Sequence, residues 1–318
     1  MWNFFKISSN TFKESVREPV FCLLLVCALV LIAHFPSVAL FVFYEQLKTV
    51  VDSSMATSLL FGLFAAVLAS SHTVAQEMRN GTVLLLLSKP VHRWSFVLAK
   101  IAGIVAAVVL FMFILNCATI VAVYIAVDQF NTDDLTYYML LGTMVASAVV
   151  GMLLNFFRGN SFSAGMIFTM SVLMPLFMVL CLLIKEKPQI DMADLFKSLI
   201  LLFGAVSAMA TIAVAFAIRL EMVANLCLCT VVFFLGMVSS FLFQRDTGSA
   251  VLNVVLGALY AVFPNWQFFW LADAIAAGRH IPWIYVVKSF VYVFAYMALC
   301  SMWAVALFQR HEIAKDTR

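Results

Sequence analysis

The chain has 318 residues, of which 65% are hydrophobic and only 11% are charged. Soluble domains carry roughly 25% charged residues, so this composition excludes an ordinary soluble protein. It predicts an all-α protein with about eight transmembrane helices of roughly 20 residues and with no room for a separate soluble domain. The net charge of +3 comes without a run of five basic residues, so nucleic acid binding has no support.

The first 18 residues show the pattern of an amphipathic helix. Apolar side chains recur at helical spacing on one face, and basic or polar side chains recur on another. The two sets are Trp2, Phe5, Phe12 and Val16, and Lys6, Asn10, Lys13 and Arg17. The segment 1–18 is therefore expected to lie in the membrane interface. A second interpretation, that it is a basic flank orienting the first span, is compatible with this one.

Eight apolar stretches long enough to cross a membrane follow along the chain. They run from Pro19 to about Phe43, Met55 to Ala75, Ser95 to Val127, Leu135 to Asn155, Phe162 to Ile184, Ser198 to Ile218, Met222 to Phe243 and Ile281 to Phe308. A shorter apolar run of about 13 residues, from Val251 to Phe263, precedes the last one and is too short to span a bilayer. The segment 249–280 is therefore predicted to be re-entrant or interfacial.

The distribution of basic residues predicts the orientation. If the N-terminus is cytoplasmic and 249–280 does not cross, twelve of the nineteen Lys and Arg residues fall in cytoplasmic segments and six fall in loops on the other side. The remaining one, Lys288, lies inside the last span. Because cytoplasmic loops carry the excess of Lys and Arg, both termini and the stretch 76–100 are expected to be cytoplasmic.

The stretch 76–100 combines charge, turn signals and a short apolar run between two long spans. Asn80-Gly81 tolerates the left-handed conformation that ends a helix, and Thr82 can cap a new helix over the apolar run Val83–Leu87. Pro90 then disfavours helical geometry in the residue before it. Five consecutive apolar residues cannot span a membrane, and exposed patches of this kind mark interfaces. An ordinary basic loop is the alternative interpretation.

The pattern of residues in this stretch resembles a segment of a known family. The matching residues are Glu77, Gly81, Thr82, Leu86, Leu87, Ser88, Pro90, Val91, Arg93, Phe96 and Lys100. They resemble the cytoplasmic loop between the second and third spans of type-2 ABC exporter permeases, also called the ABC-2 family. In that family the segment is a coupling helix that docks on a separate ATPase subunit.

The resemblance implies a single permease domain over 1–318, in a family whose core usually has six spans. It implies that the cytoplasmic segment 76–94 contacts the ATPase through Glu77, Arg79, Gly81, Thr82, Val83, Leu86, Leu87, Ser88, Pro90 and Arg93. The partners implied are cytoplasmic ABC ATPase subunits, a second copy or a homologous permease chain, and membrane lipid. The expected location is the bacterial cytoplasmic (inner) membrane.

The chain carries no G-x-x-x-x-G-K-[ST] phosphate-binding motif, so ATP and Mg²⁺ are expected to bind to the partner ATPase and not to this chain. The apolar segments contain no hydrolase motif, and the cysteines do not suggest a metal set. We therefore expect no enzymatic activity and no cofactor or metal in this chain.

Polar residues inside apolar spans are the candidates for a translocation path. They are Asn116, Lys288 and His34, although hydrogen bonding between helices and snorkelling to the interface are ordinary explanations for such residues. A self-contained secondary transporter or channel and a non-transporting membrane scaffold remain the alternative functions. The predicted spans contain no clear Asp or Glu, which disfavours proton coupling.

Overall fold

The computed structural model describes residues 2–39, 46–75, 92–126, 131–186, 188, 190–243 and 250–316. These residues form helices joined by short connections. The helices are α1 (Trp2–Arg17), α2 (Pro19–Ala39), α3 (Gln46–Ser70), α4 (Arg93–Ile125), α5 (Asp134–Arg158), α6 (Phe162–Ile184), α7 (Met192–Ala217), α8 (Met222–Met237), α9 (Ser239–Phe243), α10 (Ala250–Val262), α11 (Ala272–Ala276) and α12 (Trp283–Asp316), with a π-helical turn at Ser71–Ala75 and a 3₁₀ turn at Trp266–Phe269.

Over the described ranges, seven helices are long and apolar enough to cross a membrane. They are α2, α4, α5, α6, α7, α12 and the unit formed by α3 with its π-helical turn. This confirms a polytopic all-α membrane protein. The predicted span from Met222 to Phe243 is divided, because α8 ends at Met237 and α9 starts at Ser239. With 16 residues, α8 is about 24 Å long, which is less than the roughly 30 Å hydrocarbon core.

The core of the bundle is built from α3, α4 and α7, whose side chains are mostly buried by the other helices. Small residues allow these helices to approach closely. A β-carbon added at Gly62 would lie 2.6 Å from the Met112 sulfur and 3.1 Å from Val206. By contrast, α5, α6 and α12 turn most of their apolar surface outward.

Two contacts show that α7 and α12 run parallel. Near their starts, Lys197 Nζ donates to the carbonyl oxygen of Ile281 at 2.7 Å, and near their ends Arg219 Nη2 donates to the carbonyl oxygen of Leu307 at 3.3 Å. Phe96, near the start of α4, packs against Phe308 at the end of α12. We call this end of the bundle the α1 end, because α1 contacts α4 there, and the other the far end.

Part of the connection from α8 to α12, the 3₁₀ turn Trp266–Phe269, packs inside the protein, whereas α10 is mostly exposed. Trp266 and Phe269 are only 2% exposed, so these two aromatic side chains pack inside the protein. A β-carbon at Gly204 would lie 3.6 Å from Phe269, about 18 Å along α7 from its start. The chain then returns to the far end at Ile281. The re-entrant or interfacial character of 249–280 stays a prediction.

Two spans begin earlier than the sequence suggested. The second predicted span starts at Gln46, not Met55, and the sixth starts at Met192, not Ser198, after Asp191 caps the helix by accepting a hydrogen bond from the Ala193 amide. Two acids therefore lie inside the apolar helices, Asp52 in α3 and Asp194 in α7, which corrects the expectation that the spans contain none. Their charge favoured a loop assignment for these residues. The sequence does not show which residues surround them in the folded protein.

An ion pair joins two connections at the far end. Asp133 caps α5, accepts hydrogen bonds from the Thr136 amide and hydroxyl, and pairs with Lys185, which follows α6. Partial burial acts to raise the pKa of Asp133, but the hydrogen bonds from Lys185 and Thr136, together with the Lys185 charge, outweigh it and lower the pKa below its ordinary value of 3.8. The carboxylate form of Asp133 therefore stabilises the fold.

This lowered pKa predicts a pH dependence with a definite sign. The stabilisation should be fully present above about pH 4 and should disappear as the pH falls through the lower pKa of the folded state. We expect Asp133→Asn to lower the thermal unfolding temperature at pH 7, with a deficit that shrinks toward pH 3. Unfolding of both proteins in detergent across that range measures it, and a deficit independent of pH would contradict the assignment.

Candidate functional site

The predicted coupling segment is bounded by two well-packed helices. Nine of its ten predicted contact residues lie at positions 76–91, outside the described residues, so their contacts stay predictions. They are Glu77, Arg79, Gly81, Thr82, Val83, Leu86, Leu87, Ser88 and Pro90. The tenth, Arg93, is the first residue of α4 and is exposed. In the sequence, the segment lies between the π-helical turn that ends at Ala75 and the start of α4 at Arg93.

Helix α1 and Glu18, the residue that directly follows it, contact both of these flanking elements. Glu18 Oε2 lies 3.1 Å from His72 Nε2 in the π-helical turn. One helical turn earlier, Glu14 Oε2 lies 3.7 Å from Lys100 Nζ in α4. The Lys100 side chain is only 5% exposed, so its ion pair is shielded from water more than an ordinary surface pair. The described elements on both sides of 76–91 are thus both connected to α1 or to the residue that directly follows it.

The contact between α1 and α4 depends on a glycine. A β-carbon at Gly103 would lie 2.6 Å from the Ser8 carbonyl oxygen and 2.7 Å from Thr11, so any larger residue would push the helices apart. The crossing lies about 15 Å along α4 from Arg93, which leaves the first turns of α4 extending beyond it. Val16 of α1 is buried, whereas Lys13 and Arg17 are exposed. The amphipathic pattern therefore places its apolar face against protein as well as toward the predicted interface.

A buried asparagine connects the π-helical turn to the helices behind it. Asn225, near the start of α8, is fully buried, and its Nδ2 donates to the Ser71 hydroxyl at 2.9 Å and to the Ala213 carbonyl at 3.2 Å. Its Oδ1 faces the Cys229 thiol at 3.3 Å. Asn225 was not among the residues predicted from the sequence, because a single Asn in an apolar stretch does not reveal a partner 154 positions away.

The candidate path residues have different neighbours. Asn116 is buried in α4 and donates to the Leu199 carbonyl of α7 at 3.0 Å, which is the interhelical hydrogen bond considered as the ordinary explanation. His34 Nδ1 lies 3.2 Å from the Tyr137 hydroxyl of α5. Lys288 is exposed on α12. These contacts do not bring the three residues together around one site.

The far end contains a buried ion pair, Asp194–Lys197, at positions that the sequence predicts to be loop. Asp194 accepts hydrogen bonds from Lys197 Nζ at 2.8 Å and from the Ile281 amide at 3.2 Å, and it faces His280 Nδ1 at 3.2 Å. With Asp191, the carboxylate and imidazole atoms lie within 4.8 Å of one another, close enough for a metal site. The Lys197 ammonium already neutralises Asp194, so the geometry is that of an ion pair holding the start of α12 against α7.

Comparison with known proteins gives one result. The family model described as "ABC-2 family transporter protein" matches residues 5–162, from α1 to the first residue of α6. That range contains the 76–94 segment and the α1 contacts on either side of it. No curated protein matches the chain. The chain thus belongs to the ABC-2 family and is a multi-pass membrane component of an ABC transporter.

Proposed function

We propose that this chain is the membrane subunit of an ABC exporter and that it couples ATP hydrolysis by separate ATPase subunits to movement of a substrate across the membrane. Its 76–94 segment is the contact with the ATPase. The unit at work contains two permease chains, identical or homologous, and lies in the bacterial inner membrane with both termini in the cytoplasm. ATP and Mg²⁺ bind to the ATPase subunits.

One observation carries this proposal. The segment that resembles a coupling helix lies in the sequence between two elements that both contact α1 or the residue that directly follows it, through Glu14–Lys100 and Glu18–His72. A short surface loop that had no mechanical role would need neither a shielded ion pair nor the close glycine contact at Gly103. Because these contacts connect both flanking elements to the same part of the chain, displacement of a docked segment can be transmitted to several helices at once.

In the proposed cycle, closure of the ATPases around ATP moves the 76–94 segment. The two flanking helices, α3 and α4, belong to the buried core with α7, so their displacement changes how that core packs. ATP binding can drive the change only as far as it binds one arrangement more tightly than the other. The spans are thereby biased between states open to one side of the membrane and then to the other.

The test is to co-express the chain with candidate cytoplasmic ABC ATPases and to purify the permease in detergent. We expect the ATPase to remain bound and ATP hydrolysis to be retained with the complex. After reconstitution, ATP added on the ATPase side should drive release of cargo to the opposite side. A permease that purifies alone, or one that transports with an ion gradient and without ATP, would contradict the proposal and favour the secondary transporter.

A further inference from the structure

The π-helical turn Ser71–Ala75 is the last described element before the coupling segment, and it has two partners. On one side, His72 contacts Glu18, the residue that directly follows α1, at 3.1 Å. On the other, the Ser71 hydroxyl accepts from Asn225 of α8 at 2.9 Å. Adjacent residues of one turn thus connect to two helices that are far apart in the chain.

The hydrogen bond between Asn225 and Ser71 lies inside the protein, and the Asn225 side chain has further partners. Asn225 is fully buried and Ser71 is 3% exposed, so water does not compete for their hydrogen bond. The second donor contact of Asn225, to Ala213, fixes its amide against the last turns of α7. The Cys229 thiol lies beside its oxygen. These contacts with α7 and α8 hold the Asn225 amide in one orientation. Movement of Ser71 would therefore strain or break its hydrogen bond with Asn225.

The π-helical turn differs in length from an α-helical turn, and conversion between the two would move the residues that follow it. A π-helical turn contains one more residue than the α-helical turn it replaces, and such turns are rare and concentrated at functional sites. Conversion to α-helix would shift the residues that follow by about 1.5 Å and rotate them by about 100°. In this chain, the residues that follow belong to the 76–94 segment. The conformation of the turn would therefore set the position and the orientation of the start of that segment.

We propose that Asn225 is a positioning residue for the coupling segment: it acts through Ser71 to hold the π-helical turn, which links the segment to α8 and α7 as well as to α1. The role in ATP coupling rests on the proposed function. The linkage itself is a property of the permease alone, and the experiment below does not require an ATPase. Failure of the docking experiment and failure of this one are therefore distinguishable.

The test is hydrogen–deuterium exchange of the purified full-length chain, read by mass spectrometry. Ser71→Ala removes the acceptor and leaves Asn225 with Ala213 and Cys229. We expect amides in peptides covering 66–75 and 10–18 to exchange about fivefold faster, the change that follows from losing one neutral hydrogen bond. Asn225→Leu should give the same pattern with added changes in α7 and α8.

The matched control is Ser70→Ala, because the neighbouring Ser70 hydroxyl is equally buried but bonds the Ala66 carbonyl of its own helix. It should leave exchange in 10–18 unchanged. Wild-type exchange in 10–18 for Ser71→Ala would overturn the proposal. A uniform increase across all helices with a matching fall in unfolding temperature would also overturn it, because it would show a general stabilising role only.

Discussion

Replacing Leu86 and Leu87 together with glutamate should remove the ATPase from the purified complex. Both residues belong to the apolar run Val83–Leu87, which is the surface we propose to dock on the ATPase. Burial of a leucine side chain is worth about 2 kcal/mol, and two introduced charges would also be desolvated without partners. A loss of about 4 kcal/mol corresponds to roughly a thousandfold weaker association.

Co-purification of the tagged permease with the ATPase, quantified by gel and by ATP hydrolysis, measures this loss. The variant should still insert and elute as a monodisperse species, since the change lies outside the spans. Asn160→Glu is the control, because it adds a negative charge to an exposed position in another loop predicted to be cytoplasmic. An ATPase that stays bound to the Leu86 and Leu87 variant would show that the docking surface lies elsewhere.

Replacing Lys197 with methionine should destabilise the protein strongly. The Lys197 side chain is 4% exposed and pairs with Asp194, which is 7% exposed, and it also donates to the Ile281 carbonyl. Removing the ammonium leaves a carboxylate buried beside an apolar core. Breaking a buried pair in this way costs about 3–5 kcal/mol, and we expect the unfolding temperature to fall by about 5–15 °C.

Thermal unfolding of the detergent-purified chain measures this effect, and two further variants separate its causes. Adding Asp194→Asn to Lys197→Met should restore most of the lost stability, since no buried charge then remains unpaired. Lys288→Met, on the exposed face of α12, should change little. Equal unfolding temperatures for wild type and Lys197→Met would mean that Asp194 finds another counter-charge.

The helical pattern of the chain was predictable because most spans are continuous apolar runs. The bounds of α6 at Phe162 and Ile184 agree with the prediction, since Ser161 caps the start and Lys185 follows the end. The prediction was poorer where a helix carries charge that the fold neutralises. Asp194 and Lys197 resemble loop residues in the sequence, and only the position of Ile281 and His280 shows why they can lie inside the bundle.

The candidate site divides in the same way. The turn and capping signals of 76–94 can be predicted from the sequence, because Gly, Thr and Pro act through the backbone of their immediate neighbours. They stay predictions, since residues 76–91 lie outside the described ones. The contacts of the flanking elements could not be predicted, since Glu18–His72 and Ser71–Asn225 join residues that are distant along the chain. No local pattern distinguishes Ser71 from Ser70, yet one bonds across the bundle and the other within its own helix.

Composition and periodicity thus determined by themselves that this is an α-helical membrane protein, where most of its spans lie, and which short polar stretch is the candidate for contact with a soluble partner. These properties depend on transfer of side chains from water to lipid and on local backbone preferences, which are additive along the sequence. The tertiary structure decided that α1 frames that stretch, that α8 is too short to resemble the other spans, and that an ion pair lies inside α7. Those features depend on which helices become neighbours, and burial then sets whether a charge or an amide finds its partner.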